Sequence, residues 1–173
     1  MTQAMETGFC LGSNLGNRLE MLQGARDAML ARAGARLVAQ SPVYETAPVG
    51  VRSEYRDLPF LNAVIVIESP LQPGEWLHIV QGVEKRMGRV RTEDRNAPRT
   101  LDIDILFSGD QYIESGILVV PHPRWAERRF VVQPLADVRP DLRMPDSPAA
   151  VREILAALPP GEGVEKYAEA DAW

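Results

Sequence analysis

The sequence predicts an α+β fold: a ferredoxin-like βαββαβ core with an antiparallel sheet, helices packed on it, and extra C-terminal strands and a helix. Four β-rich apolar runs, at 8–13, 36–46, 60–69 and 100–107, carry that expectation. So do two segments with helical spacing of apolar residues, each placed between a first and a second strand of a pair. The two middle runs are joined by a hairpin-like loop, which separates this order from a simple alternation of strands and helices.

Each element has its own justification. GFCLGS (8–13) is a short apolar strand ending at a glycine. Asn17 with Glu20 three residues on has the spacing of a capping box and opens a helix. Leu15, Leu19, Leu22, Ala25 and Met29 follow its apolar face, and Gly34 closes it. RLVAQSPVYET (36–46) is β-rich, with Pro42 marking an edge or bulge. Residues 47–59 are a polar loop, and FLNAVIVIES (60–69) is the clearest strand, nearly continuous in apolar and β-branched residues. Pro73 opens a second helix with Glu75 in its first turn; Trp76, Val80, Val83 and Met87 form its stripe and Gly88 stops it. Residues 88–99 have no apolar period and read as loop, whereas TLDIDILF (100–107) alternates strictly, with Leu101, Ile103, Ile105 and Phe107 on its buried face. Residues 108–146 read as short strands and turns, including the FVVQPL run, with a helical stretch around RWAERRF. Residues 148–158 predict a last helix. Residues 1–158 are therefore expected to form a single domain, and the polar, Pro/Gly-led 159–173 a mobile tail.

Composition excludes several classes. The 173 residues are 45% hydrophobic and 25% charged, which suits a globular domain and excludes a disordered or collagen-like chain. No apolar run reaches the roughly 18 residues of a membrane span, and the N-terminus lacks the pattern of a secretory signal. Cys10 is the single cysteine, so an internal disulfide is impossible. A cytoplasmic protein is expected. The net charge of −5 argues against a nucleic-acid or membrane-surface partner. It is unevenly spread. Residues 85–99 hold six cations and two anions, a net +4, which leaves 13 cations against 22 anions, a net −9, on the other 158 residues.

That basic segment runs straight into Asp102 and Asp104. At i and i+2 on one strand, their Cα atoms stand roughly 6.6 Å apart on the same face. Two such carboxylates repel one another unless a cation lies between them, and Mg²⁺ takes one or two carboxylates together with phosphate oxygens. A solvated polar face is the ordinary reading of an isolated D-x-D. The neighbouring arginines change it, because guanidinium forks hold phosphate oxygens and phosphoryl transfer depends chiefly on such positioning and charge compensation. Gln81 and Glu84 share a helix face just before the loop. His122 sits between two prolines, and Arg128 follows. Asn62 is the one amide in an apolar strand; it either reads a flat heterocycle or is tied to a neighbouring loop. Phe60, two residues earlier on the same face, could stack on such a ring.

GSNLGN (12–17), Y-x-T-x-P (44–48), FLNA (60–63), GRVR (88–91), PRTLDIDIL (98–106) and VPHPR (120–124) recur in the order of one family. Over about residues 8–146 the chain resembles 6-hydroxymethyl-7,8-dihydropterin pyrophosphokinase, of folate biosynthesis. The resemblance implies transfer of diphosphate from ATP to the pterin hydroxymethyl group, with release of AMP. It implies that Asp102 and Asp104 bind two Mg²⁺ ions and that Arg89, Arg91, Arg95 and Arg99 are catalytic-loop arginines. It further implies ATP contacts from Leu77, Gln81, Glu84, Arg91, Arg99, Ile105, His122 and Arg128, and pterin contacts from Thr46, Pro48, Val49, Phe60, Asn62 and Phe130. ATP and the pterin are the expected partners, with no nucleic acid, no membrane and a monomer by default. The chain departs from the family at Asn96, where a Trp is common, at Pro123, where a Tyr is frequent, and near Ile117 and Val119. A degenerate homologue that binds nucleotide or pterin without turnover is the alternative. An RNA-binding module is the rival from another class, disfavoured by the acidic balance.

Overall fold

The computed structural model describes residues 3–160 and 163–173. Its main sheet is antiparallel, as expected. β5 (Asp102–Ser108) pairs with β1 (Met5–Ser13), β1 with β4 (Phe60–Ser69), and β4 with β3 (Val43–Thr46). The 36–46 run is two strands rather than one: β2 (Arg36–Gln40) and β3 both pair with β4. They part at Ser41-Pro42, where proline has no N–H to give the ladder. The buried Ser41 bridges the gap, its N–H donating to the Val64 carbonyl and its Oγ accepting the Val64 N–H, both at 2.9 Å.

α1 (Arg18–Leu30) starts at the Asn17 cap, whose side chain accepts the Glu20 N–H at 3.4 Å. Leu15, expected on this helix, lies before it and is exposed. α2 (Pro73–Arg86) has Pro73 in its first turn, and the Glu75 carboxylate accepts the Gln72 N–H at 2.8 Å. Both helices cover one face of the sheet. There Phe9, Leu11, Leu61, Ala63, Ile65, Ile103 and Ile105 meet Leu22, Met29, Trp76 and Val83. The Phe9 and Trp76 rings pack edge to face, centroids 4.9 Å apart.

The middle of β4 is apolar on both faces because Val64 and Val66 face a second layer. α3 (Arg129–Val138) and α4 (Val151–Ala157) cover Cys10, Val64, Val66 and Leu106 with Val131, Val132, Leu135 and Val151. The FVVQPL run, expected among short strands and turns, is thus the body of α3, with Pro134 inside it. Phe107 also differs from expectation. A bulge between β1 and β5 at Gly8/Phe9 breaks the alternation, and Phe107 joins Leu106 on the α3 face. β6 (Ile113–Glu114) and β7 (Val119–Val120) form a separate hairpin sheet.

The 159–173 segment is not a loose tail where it is described. Val164–Ala168 forms β8 on the free edge of β3, and Trp173 is 7% exposed, within the α1/α2 core. An open strand edge and a large apolar side chain supply the two driving forces that a polar composition concealed. Gly161 and Glu162 lie outside the described residues.

Candidate active site

The second helical layer covers only part of its sheet face, and the uncovered part is the floor of the site. Strand register brings Asp102 of β5, Gly12 of β1 and Asn62 of β4 side by side, with Asp104 opposite Cys10. Gly12 keeps this row open: a Cβ there would meet Asn62 Oδ1 at 2.9 Å. Asn62 donates from Nδ2 to Thr46 Oγ1 at 2.7 Å, which leaves Oδ1 facing the space above Gly12. Two cavities stand over this floor. One, of about 490 Å³, is lined by Phe60, Asn62, Thr46, Phe130 and the loop residues Val49 to Val51. The other, of about 770 Å³, is lined by Leu77, Gln81, Glu84, Arg89, Arg91 and Arg95. Arg99, Asp102, Asp104 and Arg128 line both, so the acidic pair marks their junction.

The loop between α2 and β5 is tied down at several points. Glu84, only 4% exposed, accepts the Ile103 N–H at 2.8 Å and an Arg89 N–H at 2.6 Å. Arg89 also donates to Asp102 Oδ1 at 2.5 Å, and Arg99 to Asp102 Oδ2 at 3.1 Å. The buried Asn14 holds the loop's end, accepting the Arg99 N–H at 2.8 Å and donating its own N–H to the Arg99 carbonyl at 3.2 Å. Across the mouth, Asn96 Nδ2 donates to the Gly50 carbonyl at 2.8 Å, and Arg52 pairs with Asp94 at 3.1 Å. Arg91 reaches Glu84 at 3.2 Å while remaining largely in solvent, 69% exposed at its side chain.

The electrostatics divide the pair. Asp102 has two guanidinium partners, whereas Asp104 has, among the described residues, only the His122 imidazole near it, Nε2 at 3.9 Å. Burial first, and the charge of Asp102 second, push the Asp104 carboxyl up to about 7. Burial raises Glu84 as well, opposed by the Ile103 N–H and Arg89, and it lowers His122, with the Arg128 charge acting in the same direction. Burial likewise raises the Cys10 thiol, so it is no ready nucleophile. Asp104, with no guanidinium paired to it and a like charge beside it, suits a hard cation. Among the described residues no third His, Cys, Asp or Glu completes a metal-binding group. The remaining coordination positions would therefore fall to water and phosphate oxygens, which is how Mg²⁺ is commonly held.

Most of the predicted site residues converge here. Ile105 does not: it is buried in the α1/α2 core, on the opposite side of β5 from Asp104, and Ile103 lines the larger cavity instead. Pro48 lines neither cavity, although Ala47 and Val49 beside it line the smaller one. Arg124, Glu127 and Val164 also line the smaller cavity without having been singled out. Arg124 was legible in VPHPR; Val164 had no signal in its own segment.

An acidic pair flanked by convergent arginines, set where two cavities meet on an α+β sheet, defines a transferase that passes a phosphate-containing group between two small molecules. The chain belongs to the 7,8-dihydro-6-hydroxymethylpterin-pyrophosphokinase family, whose model matches residues 9–140. It is 44% identical over 156 residues to the 2-amino-4-hydroxy-6-hydroxymethyldihydropteridine pyrophosphokinase of Pseudomonas aeruginosa, covering 90% of this chain and 93% of that one. It is 41% identical over 130 residues to the Bacillus subtilis protein of the same name, covering 75% of each. The fold is that of the crystal structure of Plasmodium falciparum HPPK-DHPS wild type with pteroate. There the TM-score is 0.70 at 14% identity, over 90% of this chain and 42% of that one. This chain thus spans less than half of those Plasmodium falciparum chains.

Proposed function

We propose that this protein transfers the terminal diphosphate of ATP to the hydroxymethyl group of 6-hydroxymethyl-7,8-dihydropterin, releasing AMP, as a cytoplasmic enzyme of folate biosynthesis. The observation that carries the reading is the junction of two chemically different cavities at Asp102 and Asp104. The smaller suits a flat, hydrogen-bonding heterocycle. Phe60 and Phe130 offer ring faces, and Asn62 Oδ1 offers an acceptor beside Thr46. The larger suits the nucleotide, with Leu77, Gln81 and Glu84 on the α2 side and Arg89, Arg91, Arg95, His122 and Arg128 toward the phosphates.

The hydroxymethyl oxygen attacks the β-phosphorus in line. A C–O–P linkage forms, the bond from the β-phosphorus to the bridging oxygen breaks, and its electron pair leaves on AMP. The hydroxyl proton passes to water. Asp102 and Asp104 would hold Mg²⁺, which when bound neutralises phosphate charge and polarises the phosphorus. Arg99 touches both cavities and so can follow the diphosphate across the junction; Arg89 holds Asp102 in place. The 47–52 and 88–99 loops, linked by Asn96 and Arg52, narrow the mouth and limit water, the competing acceptor.

The test is AMP formation from ATP, Mg²⁺ and the pterin, compared with Asp102→Ala. AMP release dependent on both pterin and Asp102 supports the assignment. No AMP above the variant's level, with both ligands still bound, would favour a binding protein without turnover.

A further inference from the structure

The family match ends at residue 140, yet one wall of the smaller cavity is built by residues beyond it. β8 pairs with β3 so that Val164 stands opposite Thr46, and Thr46 stands opposite Phe60 of β4. Directly opposed residues of an antiparallel ladder share a face. Phe60, Thr46 and Val164 are therefore one row across three strands, and all three line the cavity.

Gly163 continues this wall into the mouth loop. Its carbonyl accepts the Ala47 N–H at 3.0 Å, where the 47–52 loop begins. Its φ is 73°, and a Cβ at this position would stand 2.9 Å from the Cβ of Ala47. Glycine is needed here both for the backbone angle and for the close approach.

The segment is held from its other end. Trp173 Nε1 donates to the Ser41 carbonyl at 2.9 Å, and its ring lies 5.3 Å from the Arg26 guanidinium. Gln40 Nε2 donates to the carbonyls of Ala170, at 2.5 Å, and Trp173, at 2.9 Å. Both anchors sit at the β2–β3 junction, the opposite end of β3 from Thr46. The five residue steps from Ser41 to Thr46, at about 3.3 Å each, separate the anchor from the cavity by roughly 16 Å.

We infer that residues 163–173 are a positioning segment for the pterin: Trp173 holds β8 in register, Val164 closes the outer side of the cavity, and Gly163 sets the start of the mouth loop. This rests on the smaller cavity being the pterin site. The segment lines the smaller cavity through Gly163 and Val164 and contributes no residue to the larger one. Its effect must then appear in pterin binding and spare the nucleotide.

The experiment uses the full-length protein with Val164→Trp, Gly163→Ala and Trp173→Ala. Pterin affinity is measured by calorimetry at saturating unreactive ATP analogue and Mg²⁺; affinity for the analogue and the melting temperature are measured in parallel. Overfilling the wall with Val164→Trp is expected to weaken pterin binding by about tenfold or more. Gly163→Ala and Trp173→Ala are expected to give smaller losses of the same kind, with the analogue bound as before. Unchanged pterin affinity in folded Val164→Trp and Gly163→Ala overturns the inference. So does parallel loss of both ligands with a lowered melting temperature, which marks a general folding role. A wild-type protein that binds the analogue but no pterin overturns the proposed function itself.

Discussion

The two faces of the sheet are built from the same strands and put to opposite uses. Toward α1 and α2, the odd-numbered residues are buried without interruption from Leu61 to Ile67 along β4 and from Leu101, just before β5, to Ile105. Toward α3 and α4 the cover is partial. Val64, Val66 and Leu106 are sealed, while Asn62, Asp102 and Asp104 at the other end of the same strands lie on the cavity floor. One face therefore supplies stability, and half of the other face stays open for chemistry. A strand can serve both because successive side chains point in opposite directions. Substitutions one residue apart should accordingly fail in different assays.

The largest expected effect is on the sealed face. Trp76 is fully buried, packs on Phe9 and donates to Ser69 Oγ at 3.1 Å. Trp76→Ala is expected to cost about 3–5 kcal/mol in urea unfolding, with the KM values of the protein that remains folded unchanged. An altered pterin-to-ATP KM ratio would show that the two faces are not independent. Next is the open face. Asp104→Asn keeps the shape and removes a half-buried carboxylate that Asp102 repels, so AMP formation should fall about 10²–10³-fold without loss of melting temperature. A variant that is both less active and markedly less stable would break the division of labour. Third is Phe60→Ala, which removes a ring from the cavity row; the pterin KM should rise roughly threefold to tenfold while the ATP KM holds. An equal rise in both would place the ring's influence at the junction instead.

How far the sequence alone reaches follows from the same geometry. β4 was legible because burial on both faces leaves a continuous apolar run, and Asp102 and Asp104 because burial on one face leaves a strict alternation. That alternation also put Ile105 opposite Asp104, facing the core, which is where the structure has it. α3 was misread because its β-branched residues favour a strand and Pro134 disfavours a helix interior, while packing on Val64 and Val66 makes it a helix. β8 left no trace in its own composition. Its pairing with β3 and the docking of Trp173 on Ser41 span more than 100 positions of sequence, and a short polar segment cannot announce a distant partner.

The smallest effect tests whether the open face depends on its mouth as well as its floor. Asn96 joins the two mouth loops through the Gly50 carbonyl, and its own N–H is held by Asp94, the partner of Arg52. These contacts are exposed, and an exposed neutral hydrogen bond is worth about 0.5–1.5 kcal/mol at most, the ion pair less still. Asn96→Ala should therefore raise the pterin KM only about twofold to threefold. Gly50 lines the smaller cavity alone, whereas Asn96 lines both. A loop acting through Gly50 raises the pterin KM and leaves the ATP KM where it was. If the ATP KM rises instead, the amide serves the arginine loop directly, and the link across the mouth is incidental to binding.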